Sequence, residues 1–235
     1  MNYSIIVPIY KEEKNIAKMI SKVKSELNKK KINYELIFID DDSLDNSKKI
    51  FENNKNKNTR FFVRKDKPRD LSKSVVFGFK KSKYKNLIVM DGDLQHNPKD
   101  LYKLISKFKK TNCDIVIGSR KLINYKKANL NPLRFIFSKL LNYIFNLIFD
   151  KKMIDPMSGF FLIKKSVFKN AEKKLILLGY KILIDIVLSS NKNLIIKEVI
   201  INFRIRDKGF SKMRLKILLQ LILFITIKYF KNDKK

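Results

Sequence analysis

Four apolar residues, Leu87-Ile88-Val89-Met90, run straight into Asp91-Gly92-Asp93 and on through Leu94-Gln95-His96-Asn97-Pro98. So short an apolar run reads as a buried strand, and the two carboxylates mark the point where it leaves the sheet. Asp91 and Asp93 then emerge at a strand's carboxyl end, which is the rim where open α/β sheets bind ligands. Gly92 carries no side chain, so a bulky ligand can approach the backbone there. Two carboxylates this close repel unless something positive sits between them. A divalent cation with oxygen ligands, Mg2+ or Mn2+, is the simplest partner. A surface turn with solvated acids has the same short pattern, and the rest of the chain has to decide between the two.

Read in order, the chain opens on a β-rich run, Tyr3 to Pro8, and Pro8 is expected to end it because proline donates no ladder hydrogen bond. Tyr10, Glu12 and Glu13 follow, then apolar positions Ile16, Met19, Ile20, Val23 and Leu27 at helical spacing. Tyr34 to Ile39 is a second strand, and it too ends in acids, Asp40-Asp41-Asp42-Ser43. Asp45, Asn46 and Ser47 can cap the next helix. Phe61-Phe62-Val63 is a third strand, Leu71 to Lys83 a helix, and Leu87 to Met90 the fourth strand. This βαβαβαβ order predicts a mostly parallel sheet with helices on both faces. Both acidic clusters fall on one rim of it.

Pro98 to Lys110 reads as an amphipathic helix, and Asp114 to Gly118 as a strand that delivers Ser119 and Arg120 to the same rim. Leu133 to Phe149 is apolar nearly all round. Its polar positions Arg134, Ser138, Asn142 and Asn146 fall four apart, which makes one stripe on a helix. That helix is either a core element with a few satisfied polar groups or one at a membrane interface with its stripe facing the site. Asp155 to Phe161 is a loop entering a strand, Gly179 to Ser189 a helix bearing Lys181 and Asp185, and Ile195 to Phe203 a strand. Arg204 to Lys212 is a basic loop around Gly209. Ile217 to Ile227 is an apolar segment bracketed by Lys212, Arg214 and Lys216 before it and Lys228 and Lys231 after it. It is too short to span a bilayer. It suits a helix in the headgroup region, or one buried against a partner.

The formal net charge is +31, from 53 Lys and Arg against 22 Asp and Glu. Such a charge first suggests nucleic acid or an anionic membrane. The lysines are spread through every segment, as a codon bias towards Lys, Asn and Ile would leave them. No helix-turn-helix, zinc or base-stacking signature accompanies them, so a nucleic-acid partner is not expected. An aspartyl phosphatase would want a Ser/Thr motif and a lysine with a second acidic pair downstream, and Asp155 alone fits poorly. An EF-hand reading of Asp40 to Ser47 lacks the loop's glycine and closing glutamate. The single cysteine, Cys113, excludes an internal disulfide and fits a reducing compartment. No signal peptide is expected ahead of Ser4-Ile5-Ile6-Val7.

Six ordered signatures resemble glycosyltransferase family 2, and within it the polyprenyl-phosphate glycosyltransferases. They are Val7-Pro8-Ile9-Tyr10-Lys11-Glu12, Ile39 to Ser47, Met90 to Pro98, Gly118-Ser119-Arg120, Asp155-Pro156-Met157-Ser158-Gly159-Phe160-Phe161 and Gly209-Phe210-Ser211-Lys212. The resemblance implies a GT-A type, Rossmann-like α/β fold. It implies a catalytic domain over residues 1–212, containing the interface helix 133–149, and an amphipathic membrane-associated or partner-binding segment over 213–235. It also implies that Pro8, Tyr10, Glu12, Ile39, Asp41, Asp91, Gly92, Asp93, Arg120, Arg206 and Lys212 bind the nucleotide sugar. Arg134 and Ser138 would hold the acceptor phosphate. Asp91, Asp93 and Gln95 would hold Mg2+ or Mn2+, and Asp91, Asp93 and Arg206 would carry the chemistry. The implied reaction is inverting transfer of a hexose, mannose from GDP-mannose before others, to a dolichyl or undecaprenyl phosphate. A UDP-sugar donor such as UDP-glucose, or a polysaccharide or glycan acceptor, is the alternative. The implied setting is peripheral, on the cytoplasmic face of a membrane, with or without a separate anchoring protein. Gly92 stands where the family usually has alanine, Asp70-Leu71 where Gly-Leu is common, and Asp185 where glutamate is frequent.

Overall fold

A computed structural model describes residues 1–120, 153–179, 182–190 and 193–201, together with 223, 224 and 226–228. The expected interface helix over 133–149 and the basic loop over 204–212 lie outside the described residues. The first half runs β1 (Asn2–Ile9), α1 (Glu13–Lys29), β2 (Asn33–Asp40), α2 (Ser47–Asn54), β3 (Thr59–Val63), α3 (Leu71–Lys81), β4 (Asn86–Val89), α4 (Leu101–Thr111) and β5 (Ile115–Arg120). A 3-10 turn, Pro98–Asp100, leads into α4. The second half adds β6 (Phe161–Lys164), α5 (Lys165–Ala171), α6 (Ile182–Ser189) and β7 (Ile196–Ile201).

The seven strands form one sheet in the order β3-β2-β1-β4-β6-β5-β7. The expected mostly parallel sheet is present, with β6 alone reversed between β4 and β5. Strand alternation divides the core into two layers, as a period of two requires. Tyr3, Ile5, Val7 and Ile9 of β1, with Ile88 and Met90, face α1 and α4. Ile6, Ile37, Ile39, Leu87 and Val89 face the opposite layer with α3, α5 and α6. α1 fits its place because Ile16, Met19, Ile20, Val23 and Leu27 make one buried stripe, with Glu13 in its first turn and Lys29 in its last, each favoured by the helix dipole.

Pro8 does not end β1, contrary to expectation. The strand continues to Ile9, paired with β2 through Pro8↔Ile39 and Ile9↔Asp40. The β4 ladder stops earlier, at Ile6↔Val89. The C=O of Ile6 accepts from Met90 on the β4 side, so Pro8, two residues on, lacks its N–H on the side β4 has already left. No ladder bond is lost there.

The C-terminal apolar segment packs, in part, into this body. Among its described residues Phe224 and Lys228 are buried. The Lys228 ammonium lies 2.7 Å from the buried carboxylate of Asp185 on α6 and donates to the Lys174 carbonyl at 3.2 Å. Asp185 also accepts the N–H groups of Ile176 and Leu177, each at 2.8 Å. Lys228, expected to flank a membrane-lying helix, is therefore an internal anchor. Among the described residues no helix is long and apolar enough to cross a membrane.

Removing one partner of a buried ion pair strands the other charge. Asp185→Ala is expected to lower the unfolding free energy by about 3–5 kcal/mol. Adding Lys228→Met should recover part of that loss by removing the stranded ammonium. Urea unfolding of the two variants checks both statements, and a silent Asp185→Ala would show that the pair contributes nothing.

Candidate active site

The sheet reverses its winding between β1 and β4, because β2 and β3 lie to one side of β1 and β4 to the other. Ligands bind outside the carboxyl ends of strands at such a switch point. Here the switch point is also a notch. β4 ends at Val89, level with Ile6 of β1 and with the start of β6 at Phe161. β1 runs on to Ile9 on one side, and β5 runs from Ile117, level with Phe161, to Arg120 on the other. Three further residues of strand on each wall make a notch about 10 Å deep. Asp91, Gly92 and Asp93 lie in it.

Gly92 is glycine because of β1. A Cβ on it would lie 2.7 Å from Cγ2 of Ile9 and 3.3 Å from the Pro8 carbonyl oxygen. The space expected for a ligand is thus on β1's side and already filled. Asp91 faces the loop that precedes β6. A Cβ on Gly159 would meet the two Asp91 carboxylate oxygens at 2.7 and 2.8 Å, so only glycine admits that carboxylate. Because β6 is reversed, its starting end shares a rim with the finishing ends of its neighbours. That is how the 155–160 loop reaches Asp91. Asp93 turns differently. Its Oδ1 accepts the Gln95 N–H at 3.0 Å, closing a short Asx turn that holds Asp93 and Gln95 together.

His96 lies beneath this loop, 1% exposed, with its ring stacked on Phe160 at 5.1 Å between centroids. Its Nδ1 accepts the Asp91 N–H at 3.4 Å and lies 3.5 Å from an Asp91 carboxylate oxygen. Burial pushes the imidazole's pKa down, against the opposing pull of the Asp91 and Asp93 carboxylates. The neutral ring then carries its proton on Nε2, and the contact with Asp91 is a hydrogen bond from the backbone rather than an ion pair.

The next wall is charged. Arg120, at the end of β5, makes a fork on Asp155, Nε to Oδ2 at 2.6 Å and Nη2 to Oδ1 at 2.8 Å. Burial alone would lower the Arg120 pKa. Asp155, with Asp91 beyond it, outweighs burial and raises it. Ser158 donates to the Gly118 carbonyl at 2.7 Å and accepts the Phe160 N–H at 3.2 Å, fixing the same loop to β5. The resemblance makes Arg120 a ligand of the donor; the structure places its guanidinium on the Asp155 carboxylate.

On the β2 side, Asp41 is buried and turned inward. It forms an ion pair with Arg64 and accepts the Asp70 N–H at 2.8 Å. Asp70 caps α3 through the Lys73 N–H at 3.1 Å and also accepts the Gly179 N–H at 2.7 Å. Gly179 has φ of 70°, a backbone conformation glycine adopts without strain. Burial raises the Asp70 carboxyl above the usual carboxylate range, and the N–H donors oppose the shift. Ile39 is fully buried in the layer beside α3, where a Cβ on Gly78 would touch it at 3.1 Å. Tyr10 lies under the Arg69 guanidinium at 4.9 Å, and Arg69 is held by the carbonyls of Asp41 and Asp42, each at 3.0 Å. Glu12 accepts from the Asn15 side chain at 2.6 Å at the start of α1. The Lys67 ammonium holds the Asp42 carboxyl below its usual pKa.

The structure thus gathers Pro8, Asp91, Gly92, Asp93, Gln95 and Arg120 around one notch. It places Tyr10, Glu12 and Asp41 along the neighbouring rim, and Ile39 in the core beneath it. Arg134, Ser138, Arg206 and Lys212 lie outside the described residues. Its place beside the acidic motif marks His96 in the sequence as a loop residue or one that supports the site from behind. Sequence reading misses the work of Arg64, Arg69 and Asp70, and of these only Asp70 carries a signal, as an N-cap residue ahead of an apolar helix. Among the described residues no three His, Cys, Asp or Glu side chains converge as a closed metal cage. An open pair of carboxylates with Gln95 beside it suits Mg2+ or Mn2+ that takes other ligands from water and a diphosphate. Gly92→Ala should lower the unfolding free energy by about 1–3 kcal/mol through overpacking against Ile9. The loss should shrink in an Ile9→Ala background. Costs that simply add in a double-mutant cycle would show that the two positions do not touch.

Comparison with known proteins agrees with this geometry. The chain is 33% identical over 222 residues to a dolichol-phosphate mannosyltransferase of Pyrococcus furiosus, covering 94% of this chain and 61% of that protein. It therefore spans about three fifths of that relative's length. It is 30% identical over 233 residues to the dolichol-phosphate mannosyltransferase of Saccharomyces cerevisiae, covering 94% of this chain and 84% of that one. The fold matches mannosyl-3-phosphoglycerate synthase from Rubrobacter xylanophilus with a TM-score of 0.73 at 10% identity, over 100% of this chain and 75% of that one. It matches glucosyl-3-phosphoglycerate synthase from Mycobacterium tuberculosis, in complex with Mn2+, UDP-glucose and phosphoglyceric acid, with a TM-score of 0.73 at 14% identity, over 97% and 79% of the two chains. The architecture is the GT-A type. Residues 4–171 match Glycosyl transferase family 2, and the chain belongs to that family.

Proposed function

We propose that the protein transfers a hexose, mannose from GDP-mannose, to a polyprenyl phosphate with inversion at the anomeric carbon. The observation that carries this reading is the Asp91-Gly92-Asp93 turn in the notch, closed over by the Asp155–Phe160 loop. The names of the curated relatives support the acceptor and the sugar. The Mn2+ and UDP-glucose in the Mycobacterium tuberculosis structure support a divalent metal with a nucleotide sugar on this fold.

Asp91, Asp93 and Gln95 would hold the metal, which when bound supplies positive charge to the departing diphosphate. The acceptor's phosphate oxygen is already ionised at neutral pH, so it needs placement more than a strong base. It attacks the anomeric carbon as the bond to the nucleoside diphosphate breaks, and the leaving oxygen keeps the electron pair. Attack opposite the leaving group inverts the centre. Arg206 and Lys212 would add fixed positive charge at the leaving group, and Arg134 and Ser138 would place the acceptor phosphate. The net charge of +31 supports work at the anionic cytoplasmic surface of a membrane, as a peripheral enzyme with or without an anchoring partner.

The test is transfer of labelled sugar into an organic-extractable polyprenyl phosphate, with GDP-mannose and UDP-glucose in parallel, Mg2+ or Mn2+, and a chelator control. Label from GDP-mannose that disappears with chelator is expected. Label from UDP-glucose alone would replace the donor, and label only in a glycan acceptor would replace the acceptor. Asp93→Ala should reduce transfer by about 10²–10³-fold with the melting temperature unchanged. Gly159→Ala, whose methyl displaces the Asp91 carboxylate, should reduce it by about 10–10²-fold. Near-normal rates in both variants would remove the two aspartates from the reaction.

A further inference from the structure

β4 hands its last ladder bond to β1 at Met90, whose N–H donates to the Ile6 carbonyl at 3.1 Å. Asp91 is the first residue past the ladder, and the proposed reaction draws on it. An amide beyond a strand end, facing the protein interior, needs an acceptor. The acceptor comes from the same loop, five residues later: Nδ1 of His96 at 3.4 Å. The imidazole is itself fixed, fully covered and stacked at an interplanar angle of 19° on Phe160. Phe160 is the neighbour of Gly159, whose backbone bounds the Asp91 carboxylate from the other side. Asp91 is therefore clamped between the imidazole beneath its amide and the Gly159 backbone against its carboxylate.

We propose that His96 is a positioning residue: its Nδ1 takes over the backbone of Asp91 where the sheet stops, and so sets the angle at which the Asp91-Gly92-Asp93 turn meets the metal and the diphosphate. The inference rests on the function proposed above. His96 does not touch the reacting atoms and moves no proton in the reaction. What it supplies is an acceptor at one point in space, held by a ring that cannot swing. Loss of a group that orients metal ligands commonly weakens metal binding by about 10–100-fold without unfolding the protein.

That distinction sets the experiment. Asparagine presents its amide oxygen near the place of Nδ1, whereas glutamine's amide reaches past it, towards Nε2. Phenylalanine keeps the ring and its stack on Phe160 and offers no acceptor. Binding of Mn2+ is measured by the loss of its free electron paramagnetic resonance signal, with GDP present and with UDP in parallel, on the full chain. Melting temperature is recorded for every variant. His96→Phe and His96→Gln are expected to weaken Mn2+ binding about tenfold or more, with His96→Asn within about threefold of the wild type. Transfer should follow the same order, with the loss in kcat rather than in the KM for the acceptor lipid. Equal Mn2+ binding by His96→Asn and His96→Gln would overturn the proposal, since then only ring packing or nothing at all matters. So would wild-type binding by His96→Phe. If His96→Phe does not fold, the Asn and Gln comparison alone decides. A wild-type protein that binds no Mn2+ with either nucleotide would overturn the proposed function itself, and this inference with it.

Discussion

Unequal strand lengths create the site. β4 and β6 stop at the same level while β1 and β5 continue three residues further, so the sheet itself supplies two walls and a floor. Everything at the site answers to that notch. Pro8 is tolerated because β4 has gone by the time its missing N–H would be needed. Gly92 is required because the turn leaving β4 presses on Ile9 of the longer β1. Gly159 is required because the loop that enters the reversed β6 at Phe161 brings it against the Asp91 carboxylate.

The chain has 53 basic side chains and 22 acidic ones, so carboxylates are the scarce partner. The structure uses several of them as hubs. Asp41 joins the end of β2 to Arg64 after β3 and to the start of α3. Asp70 joins that start to Gly179. Asp155 ties the loop before β6 to β5, and Asp185 ties α6, the 176–177 backbone and Lys228 together. A buried carboxylate is expensive unless its lone pairs are filled, and backbone N–H groups with one cation fill them. A strongly basic chain can thus fold around a few acids, while most of the lysines among the described residues stay at the surface.

How much of this was legible in the sequence follows from which forces are local. The alternating strands β1, β2 and β4, the stripe of α1 and the two acids after Met90 are local patterns, and they read correctly as a mostly parallel α/β sheet with those acids past the end of a strand. The reversal of β6 is not local, because nothing in Phe161-Leu162-Ile163-Lys164 states a direction. α5 was missed because it follows β6 with no loop between them. Pro8 misled because the rule against proline in a strand assumes neighbours on both sides. Gly92 misled because glycine answers equally to a ligand outside and a side chain inside. Lys228 looked like a surface charge because its partner, Asp185, is 43 residues away in the chain.

The same reasoning separates the two acids of the turn. Asp91 is bounded on its backbone by His96 and on its carboxylate by Gly159, both from buried elements. Asp93 accepts the Gln95 N–H two residues on, within its own turn. If the two carboxylates hold Mg2+ or Mn2+ as proposed, the bracing of Asp91 from two buried elements fixes that ligand before the diphosphate brings its own. A carboxylate without such bracing would lose orientation as the charge of the leaving group develops. The notch and the imidazole beneath it supply the bracing, because both reach Asp91.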